Sequence, residues 1–216
     1  MKIGIFGGSF NPVHNGHIFA AKNIQQQLNL DRLIFMPTYN TPLKDPAELE
    51  APKFRLEMLE LAIKDIPNVE VSTLEIDRKG VSYTVDTVTQ IRKELTEEDE
   101  LFWIIGMDSF NSIRDWKEYP KLFSLVHFVI ISPPGFDFPL GVLPGTLISK
   151  YQRGEGLHDF VNKQGFRIIF FESPMMNIHS TEIRERLKAD ASVSKFLPEL
   201  VLDYILEQGL YGVKRA

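Results

Sequence analysis

The sequence predicts an α/β fold with a Rossmann-like, doubly wound parallel sheet and a small helical C-terminal part. Short apolar runs of strand length alternate along the chain with longer segments of helical apolar periodicity, an order that is typical of strand–helix–strand units. The runs are apolar at consecutive positions, which favours parallel strands covered on both faces. Glycine-rich or polar turns follow several runs, and in such folds ligands bind beyond the carboxyl ends of the strands.

The strands are predicted from the apolar runs, and the helices from apolar residues spaced three and four apart. The predicted strands are 2–6, 32–36, 69–76, 101–105, 127–132 and 167–171, and the predicted helices are 18–28, 54–63 and 85–95, with two more that begin near Ser180 and Pro198. The stretch 132–165 is rich in proline and glycine, so we expect a surface excursion there, with a short helical piece at 157–162. Residues 180–216 form the predicted helical C-terminal part.

Composition limits the classes of function. The chain has 216 residues, 44% of them apolar and 25% charged, which fits a single domain over 1–216. The net charge of −5 argues against a general nucleic-acid surface, so local cations and backbone amides must hold any anionic ligand. The absence of cysteine excludes disulfides and cysteine nucleophiles. Without a signal-peptide pattern or a membrane-length apolar run, we expect a cytoplasmic protein with no membrane partner.

The densest motif is FGGSFNPVHNGH at residues 6–17, directly after the first predicted strand. Gly7 and Gly8 allow a tight turn and a close approach of the backbone to a ligand. A helix that begins near His17 would present unpaired N–H groups to an anion, with His14 on the same side. A glycine-rich turn with two surface histidines is an alternative, and so is a metal-binding histidine pair. The spacing matches neither a Walker loop nor the dinucleotide G-x-G-x-x-G motif.

Two residues that follow the predicted strand 101–105 are candidates for contacts with a nucleotide. Asp108 can accept hydrogen bonds from ribose hydroxyls, and its alternative role is to cap a helix. Trp116 lies in the polar stretch RDWKEY, which favours stacking on a planar ring. A partly exposed structural tryptophan is the alternative.

Three further stretches can hold anionic groups. Residues 180–181 (ST) begin a predicted helix, and Arg184 lies one turn in, where its guanidinium can grip a phosphate through two N–H groups. Residues 82–84 (SYT) begin another predicted helix, whose first amides can bind a carboxylate. Both starts also fit ordinary helix N-termini. Lys44, in a proline-flanked loop, supplies a point charge and otherwise fits a surface lysine.

Residues 7–17 (GGSFNPVHNGH) resemble the G-G-[ST]-F-[DN]-P-x-H-x-G-H signature of the nucleotidyltransferase superfamily with H-x-G-H motifs, and within it the bacterial nicotinate mononucleotide adenylyltransferases. The likeness continues in PTYNTPLK at 37–44, FR at 54–55, SYT at 82–84, GMDS at 106–109 with Trp116, and STEIR at 180–184. The resemblance implies adenylyl transfer from ATP to nicotinate mononucleotide in NAD biosynthesis. It implies direct in-line attack without a covalent intermediate, and Mg²⁺ that is delivered with ATP.

The resemblance also implies a role for each matching residue. Catalytic roles fall on His14, His17 and Arg184. ATP contacts fall on Gly7, Gly8, Ser9, Phe10, His14, His17, Gly106, Asp108, Ser180, Thr181 and Arg184. Mononucleotide contacts fall on Asn40, Lys44, Ser82, Tyr83, Thr84, Asp108 and Trp116, with the backbone of 82–84 assigned to the nicotinate carboxylate. No protein-bound metal site is expected, and ATP and nicotinate mononucleotide are the expected partners.

The chain departs from the family pattern at two positions. Relatives commonly carry an arginine before the Pro-Gly that follows the strand at 127–132, where this chain has Ser132 before Pro133. We expect Lys44, Arg55 or a basic residue of 136–165 to take its place. Asn11 stands where many relatives have aspartate, and it still allows hydrogen bonding in the turn.

The sequence leaves alternatives to this reaction open. A sister enzyme could use another acceptor, such as nicotinamide mononucleotide or phosphopantetheine, or could transfer a cytidylyl group. A non-catalytic nucleotide sensor could have kept the pocket. Class I aminoacyl-tRNA synthetases share the His-x-Gly-His loop, but this chain is too short and too acidic for a tRNA surface. The oligomeric state, including a homo-oligomer, is also left open.

Overall fold

The computed structural model describes residues 1–42, 46–135, 140–154, 159–174 and 178–213. Its strands are β1 Lys2–Gly8, β2 Arg32–Pro37, β3 Val69–Val71, β4 Glu100–Gly106, β5 His127–Ser132, β6 Tyr151–Arg153, β7 Asp159–Asn162 and β8 Arg167–Glu172. They form one sheet in the order β3-β2-β1-β4-β5-β8-β7-β6. The pairs from β3 to β8 are parallel, and β7 and β6 add antiparallel pairs at one edge. The predicted α/β fold is therefore confirmed.

Helices cover both faces of this sheet. They are α1 Asn15–Leu28, α2 Pro52–Ile63, α3 Leu74–Arg78, α4 Thr84–Arg92, α5 Met107–Asn111, α6 Tyr119–Leu122, α7 Gly145–Ile148, α8 Ser180–Lys188 and α9 Glu199–Gln208. Buried residues of α1, α2, α8 and α9 pack into one core, here called the α1 core. Buried residues of α4, α5 and α6 pack into a second core, here called the α4 core. Within the described ranges, every helix is too short or too polar to span a bilayer.

The two central strands contribute alternate residues to the two cores, as the pleat of a strand requires. Phe6 of β1 pairs with Ile104 of β4, and both residues contact the α1 core. Ile5 pairs with Trp103, and both contact the α4 core. Because β2 follows β1 on one side and β4 lies on the other, the strand order reverses between β1 and β4. Ligands of open α/β sheets bind at such a point.

The strand predicted at 69–76 is wrong in its second half. Strand β3 ends at Val71, and helix α3 begins at Leu74. The Ser72 hydroxyl accepts a hydrogen bond from the Leu74 N–H at 3.2 Å, and the Thr73 hydroxyl donates to Asp77 at 2.6 Å. These short polar side chains stabilise a helix start over a continued strand.

The stretch 132–165 also differs from the prediction. Its described part adds β6 and β7 to the sheet, so the helical piece expected at 157–162 is a strand from Asp159 onward, and residues 157–158 lie outside the described ranges. The Phe160 ring packs edge-on against Phe170 of β8, with ring centroids 6.2 Å apart. This cross-strand aromatic contact favours pairing with the sheet.

Candidate active site

A cavity of about 710 Å³ opens where the strand order reverses, at the carboxyl ends of β1, β2 and β4. Its volume lies in the range of pockets that take small-molecule ligands. Among the described residues to which the resemblance assigns a substrate contact, all but Asn40 lie at its wall. They are Gly7, Gly8, Ser9, Phe10, His14, His17, Ser82, Tyr83, Thr84, Gly106, Asp108, Trp116, Ser180, Thr181 and Arg184.

The two histidines of the opening loop form a stacked pair. Helix α1 begins at Asn15, two residues before the predicted start, and His14 is its N-cap. The ring centroids of His14 and His17 are 3.6 Å apart. The backbone N–H of His14 donates to His17 Nδ1 at 3.2 Å. Because Nδ1 accepts this bond, the hydrogen of a neutral His17 lies on Nε2.

His14 is held in its neutral form. Its side chain is almost completely buried, and burial lowers its pKa to about 3. His179, the N-cap of α8, lowers this pKa further, and a backbone hydrogen bond opposes the shift. His14 is therefore a neutral imidazole at pH 7.

The space available for a side chain differs among the glycines at the cavity wall. A Cβ atom on Gly7 would lie 2.9 Å from Trp103 Cζ2, and one on Gly8 would lie 3.0 Å from Phe10 Cζ. The Trp103 ring therefore already excludes a side chain at Gly7, and at Gly8 a side chain would require the Phe10 ring to shift by a few tenths of an ångström. At Gly106 nothing lies within 4 Å of an added Cβ, so a side chain there would enter open space at the cavity. Gly106 is thus the glycine that packing does not explain.

Hydrogen bonds fasten the start of α8 to the opening loop. Arg184 Nη1 donates to the Asn11 carbonyl, and the Ser180 hydroxyl donates to the Pro12 carbonyl, both at 2.9 Å. Because the N-cap is His179, Ser180 is the first helical residue and not the cap. These bonds hold the guanidinium and the N-terminus of α8 at the same wall as the histidines, an arrangement suited to an anionic ligand.

The opposite side of the cavity is aromatic. Tyr83 is the N-cap of α4 and makes no side-chain capping bond. Trp116 is half-buried and packs against the α4 core. Lys117 Nζ lies 2.9 Å from both carboxylate oxygens of Asp86 and 4.9 Å from the centroid of the Tyr83 ring. This side offers planar rings and the start of a helix.

One described mononucleotide candidate, Asn40, is not part of the cavity wall. Its carbonyl accepts a hydrogen bond from the Ser82 N–H at 2.7 Å. Asn40 therefore supports the 82–84 turn through its carbonyl, and its contact with the mononucleotide stays a prediction. Lys44 lies outside the described residues.

Arg55 is not the replacement cation that the sequence suggested. Its side chain is fully buried, and Nε, Nη1 and Nη2 donate to the carbonyl oxygens of Glu50, Ser9 and Tyr39 at 2.9, 2.8 and 3.2 Å. Burial lowers the pKa of this guanidinium. Because its donors are directed at the backbone, Arg55 braces the loops after β1 and β2 and does not contact a phosphate directly.

The structure adds cavity residues that sequence reasoning missed. Among the described residues, four buried side-chain atoms have no hydrogen-bond partner: His14 Nδ1, Thr38 Oγ1, Glu75 Oε2 and Trp103 Nε1. All four residues line this cavity. An unsatisfied buried polar atom costs about 1–3 kcal/mol, so four such atoms around one cavity favour a ligand or water that supplies the missing partners. His179 also lines the wall, and its position just before a predicted helix start could have revealed it.

Glu75 is a buried carboxyl of this wall. Burial raises its pKa, against the opposing effects of the Thr87 and Ser82 hydroxyls and of Arg78. The Thr87 hydroxyl accepts from Arg78 at 2.8 Å and donates to Glu75 Oε1 at 2.6 Å. The bond from Thr87 holds this carboxyl at the cavity wall.

We expect acidification from pH 7 to pH 5 to lower the free energy of unfolding by about 2 kcal/mol for each of two buried histidines. Burial lowers the pKa of His127 to about 4, as it lowers that of His14 to about 3. Below their ordinary pKa of 6.5 only the unfolded state takes up these protons, so stability is lost as the pH falls from 6.5. Urea unfolding at both pH values measures the loss.

The control for this prediction is His127→Asn, which keeps an acceptor for the Arg167 N–H that His127 Nδ1 now binds at 3.1 Å. The variant should lose about 2 kcal/mol less than the native chain between pH 7 and pH 5. An equal loss in both proteins would contradict the assignment to His127.

Comparison with known proteins defines the class first. The family model described as cytidylyltransferase-like matches residues 5–186. The fold also matches that of a Plasmodium falciparum nicotinic acid mononucleotide adenylyltransferase complexed with NaAD, with a TM-score of 0.74 and 20% sequence identity over 100% of this chain and 99% of that one.

Curated relatives narrow the class. A probable nicotinate-nucleotide adenylyltransferase of Syntrophotalea carbinolica is 38% identical over 98% of this chain and 97% of its own length. One of Desulfitobacterium hafniense is 39% identical over 98% of this chain and 96% of its own length. The chain belongs to the nicotinate-nucleotide adenylyltransferases of the cytidylyltransferase-like family.

Proposed function

We propose that the protein transfers the adenylyl group of ATP to nicotinate mononucleotide, which gives nicotinate adenine dinucleotide and pyrophosphate. The observation that carries this function is the two-sided cavity at the carboxyl ends of β1 and β4. His14, His17 and Arg184 lie at the side of α1 and α8, and Tyr83 and Trp116 lie at the side of α4. A polyphosphate and a pyridine ring fit these two sides.

The reaction is a direct displacement at phosphorus. An oxygen of the mononucleotide phosphate forms a bond to the α-phosphorus of ATP, the bond from that phosphorus to the bridging oxygen of the β-phosphate breaks, and pyrophosphate leaves. The chain has no cysteine, and no side chain at the cavity is assigned as a nucleophile. The protein contributes position and electrostatic stabilisation of charge on the transferred and leaving groups.

The ATP side consists of the opening loop and the start of α8. We assign the Nε2–H of His17 and the His14 ring to the ATP phosphates, and Arg184 with the N-terminus of α8 to the β- and γ-phosphates. Gly106 leaves the space through which the nucleotide passes. The remaining ATP contacts are assigned to Gly7, Gly8, Ser9, Phe10, Asp108, Ser180 and Thr181.

The acceptor side uses the start of α4 and the aromatic rings. The first amides of α4, next to residues 82–84, suit the nicotinate carboxylate. Trp116 offers a face for the pyridine ring. Asp108 is exposed in the first turn of α5, where its carboxylate can accept from ribose hydroxyls. We keep Lys44 as a contact of the mononucleotide phosphate on the strength of the family pattern.

Adenylyl transfer of this kind uses a divalent metal, and we propose Mg²⁺ that arrives with ATP. No group of three His, Cys, Asp or Glu side chains in the described ranges could hold a metal ion. We propose that the ion would be held mainly by phosphate oxygens and water, and that its charge would offset that of the polyphosphate. Arg184 would act on phosphate oxygens together with such an ion.

Three wider expectations stay proposals. We propose that residues 1–216 form one domain, because a single sheet collects strands from residue 2 to residue 172. The acidic balance of −5 supports a protein that does not bind nucleic acid. The cytoplasmic location and the absence of a membrane partner stay predictions, and a homo-oligomer stays open.

Pyrophosphate release tests the function. We expect release with ATP and nicotinate mononucleotide, and much slower release with nicotinamide mononucleotide or phosphopantetheine. Equal use of the two mononucleotides would overturn the choice of acceptor and leave the chemistry intact. Binding of ATP without pyrophosphate from any acceptor would show a nucleotide sensor instead.

A further inference from the structure

We propose that Trp103 binds the mononucleotide, and that its indole Nε1–H donates a hydrogen bond to the nicotinate carboxylate. This inference rests on the proposed function and adds a residue that determines which acceptor is used. Trp103 lies on β4, and only 3% of its surface is exposed. Its Nε1 has no hydrogen-bond partner, and the residue lines the cavity.

The position of the indole is fixed by its neighbours. The residue pairs with Ile5 on β1 and with Phe128 on β5, and its side chain points into the α4 core. The ring edge reaches forward under Gly7, where a Cβ would lie 2.9 Å from Cζ2 and 3.6 Å from Nε1. Gly7, near the end of β1, therefore leaves room for this edge of the indole, in a residue that contributes to the cavity wall.

The face of the sheet decides which substrate this donor serves. Trp103 lies with Tyr83 and Trp116 against the α4 core, whereas Phe6, Phe10 and the buried face of α8 belong to the α1 core. The aromatic side is the one proposed for the pyridine ring. A donor at its floor meets the ring or its substituent, and not the triphosphate.

The chemistry of the donor favours the acid over the amide. An indole N–H can donate but cannot accept. A carboxylate offers only acceptor oxygens, and its negative charge strengthens the bond. A carboxamide offers one neutral oxygen and an NH₂ group that this donor cannot serve. The bond also satisfies an atom that is otherwise buried without a partner.

The test is Trp103→Phe, which keeps an aromatic ring and removes the N–H. We expect the KM for nicotinate mononucleotide to rise by about tenfold to a hundredfold, as for loss of a hydrogen bond to a charged group, while the KM for ATP changes by less than about twofold. The preference for nicotinate over nicotinamide mononucleotide should fall. Phe128→Leu is the control, because it shortens the paired aromatic residue of β5, which does not line the cavity. It should keep that preference.

A measurement on the native chain guards against a variant that folds poorly. The protein has two tryptophans, so its NMR spectrum has two indole N–H signals, which Trp116→Phe assigns. Nicotinate mononucleotide should shift the Trp103 signal downfield, and an ATP analogue alone should not. An unmoved signal overturns the inference, as does a Trp103→Phe variant in which both KM values rise equally. Absence of pyrophosphate release by the native chain would instead refute the proposed function.

Discussion

Replacement of His17 by alanine is expected to lower the turnover number by about a hundredfold to a thousandfold, the usual effect of losing one donor to developing charge. The bond from the His14 N–H to His17 Nδ1 leaves the hydrogen of the neutral ring on Nε2. The ring is held by its stack on His14 and by an edge contact with Phe10, with centroids 5.1 Å apart. The donor is therefore positioned before the substrate binds. Steady-state pyrophosphate release with saturating substrates measures the effect.

Two variants separate chemistry from folding in this prediction. His17→Asn keeps an acceptor in the first turn of α1 that can reach the His14 N–H, so it should fold like the native chain and still turn over slowly. His127→Asn removes a buried histidine that lies outside the cavity, and its turnover number should be unchanged. A His17→Ala enzyme with near-native turnover would rule out the role assigned to this ring.

The fold could be predicted because its signals are local. Continuous apolar runs mark parallel strands, and helical spacing marks the segments between them. The prediction failed at two places, where polar side chains or pairing with a later strand outweigh the local apolar pattern. At residues 72–77 serine and threonine hydroxyls start a helix inside a stretch that alternates like a strand. At 159–162 pairing with β8 outweighs a weak helical pattern.

The part of the candidate site that consists of sequence motifs could be predicted. Strand ends and helix starts place the opening loop, Asp108 and the start of α8 at one edge. The packing behind that edge could not be predicted, because it joins residues far apart in sequence. In the sequence, Gly7 is explained by a loop that approaches a ligand. In the structure, the indole of Trp103, 96 residues away in the chain, already requires glycine at that position.

The role of Arg55 illustrates the same limit. In sequence it is a basic residue before an apolar helical stretch, and nothing nearby reveals that its side chain is fully buried. Only the folded chain brings the carbonyl oxygens of Ser9 and Tyr39 to its guanidinium. The charge of Arg55 therefore suggested a contact with a phosphate, whereas in the fold this side chain links two loops by hydrogen bonds.

Replacement of Arg184 by methionine is expected to lower kcat/KM for ATP by about a hundredfold or more, since charge-assisted bonds to phosphate are among the strongest in proteins. The half-buried guanidinium donates to the Asn11 carbonyl through Nη1. A longer contact of 3.4 Å joins Nη2 to the Thr181 hydroxyl. The planar fork has five donors, so it can anchor the loop and grip a phosphate at once. Lysine, a point charge without the fork, should restore activity only in part.

Arg186→Met is the matched control for this prediction. Arg186 lies on the same helix with the same charge, but it pairs with Glu182 at 2.8 Å, covers the Phe196 ring and does not line the cavity. Its loss should change kcat/KM by less than about fivefold, as for an exposed ion pair. Binding assays then separate the two functions of Arg184. If it grips the β- and γ-phosphates, Arg184→Met weakens the binding of ATP and spares that of AMP. If it only anchors the Asn11 carbonyl, both nucleotides lose affinity equally, and the assignment to phosphate fails.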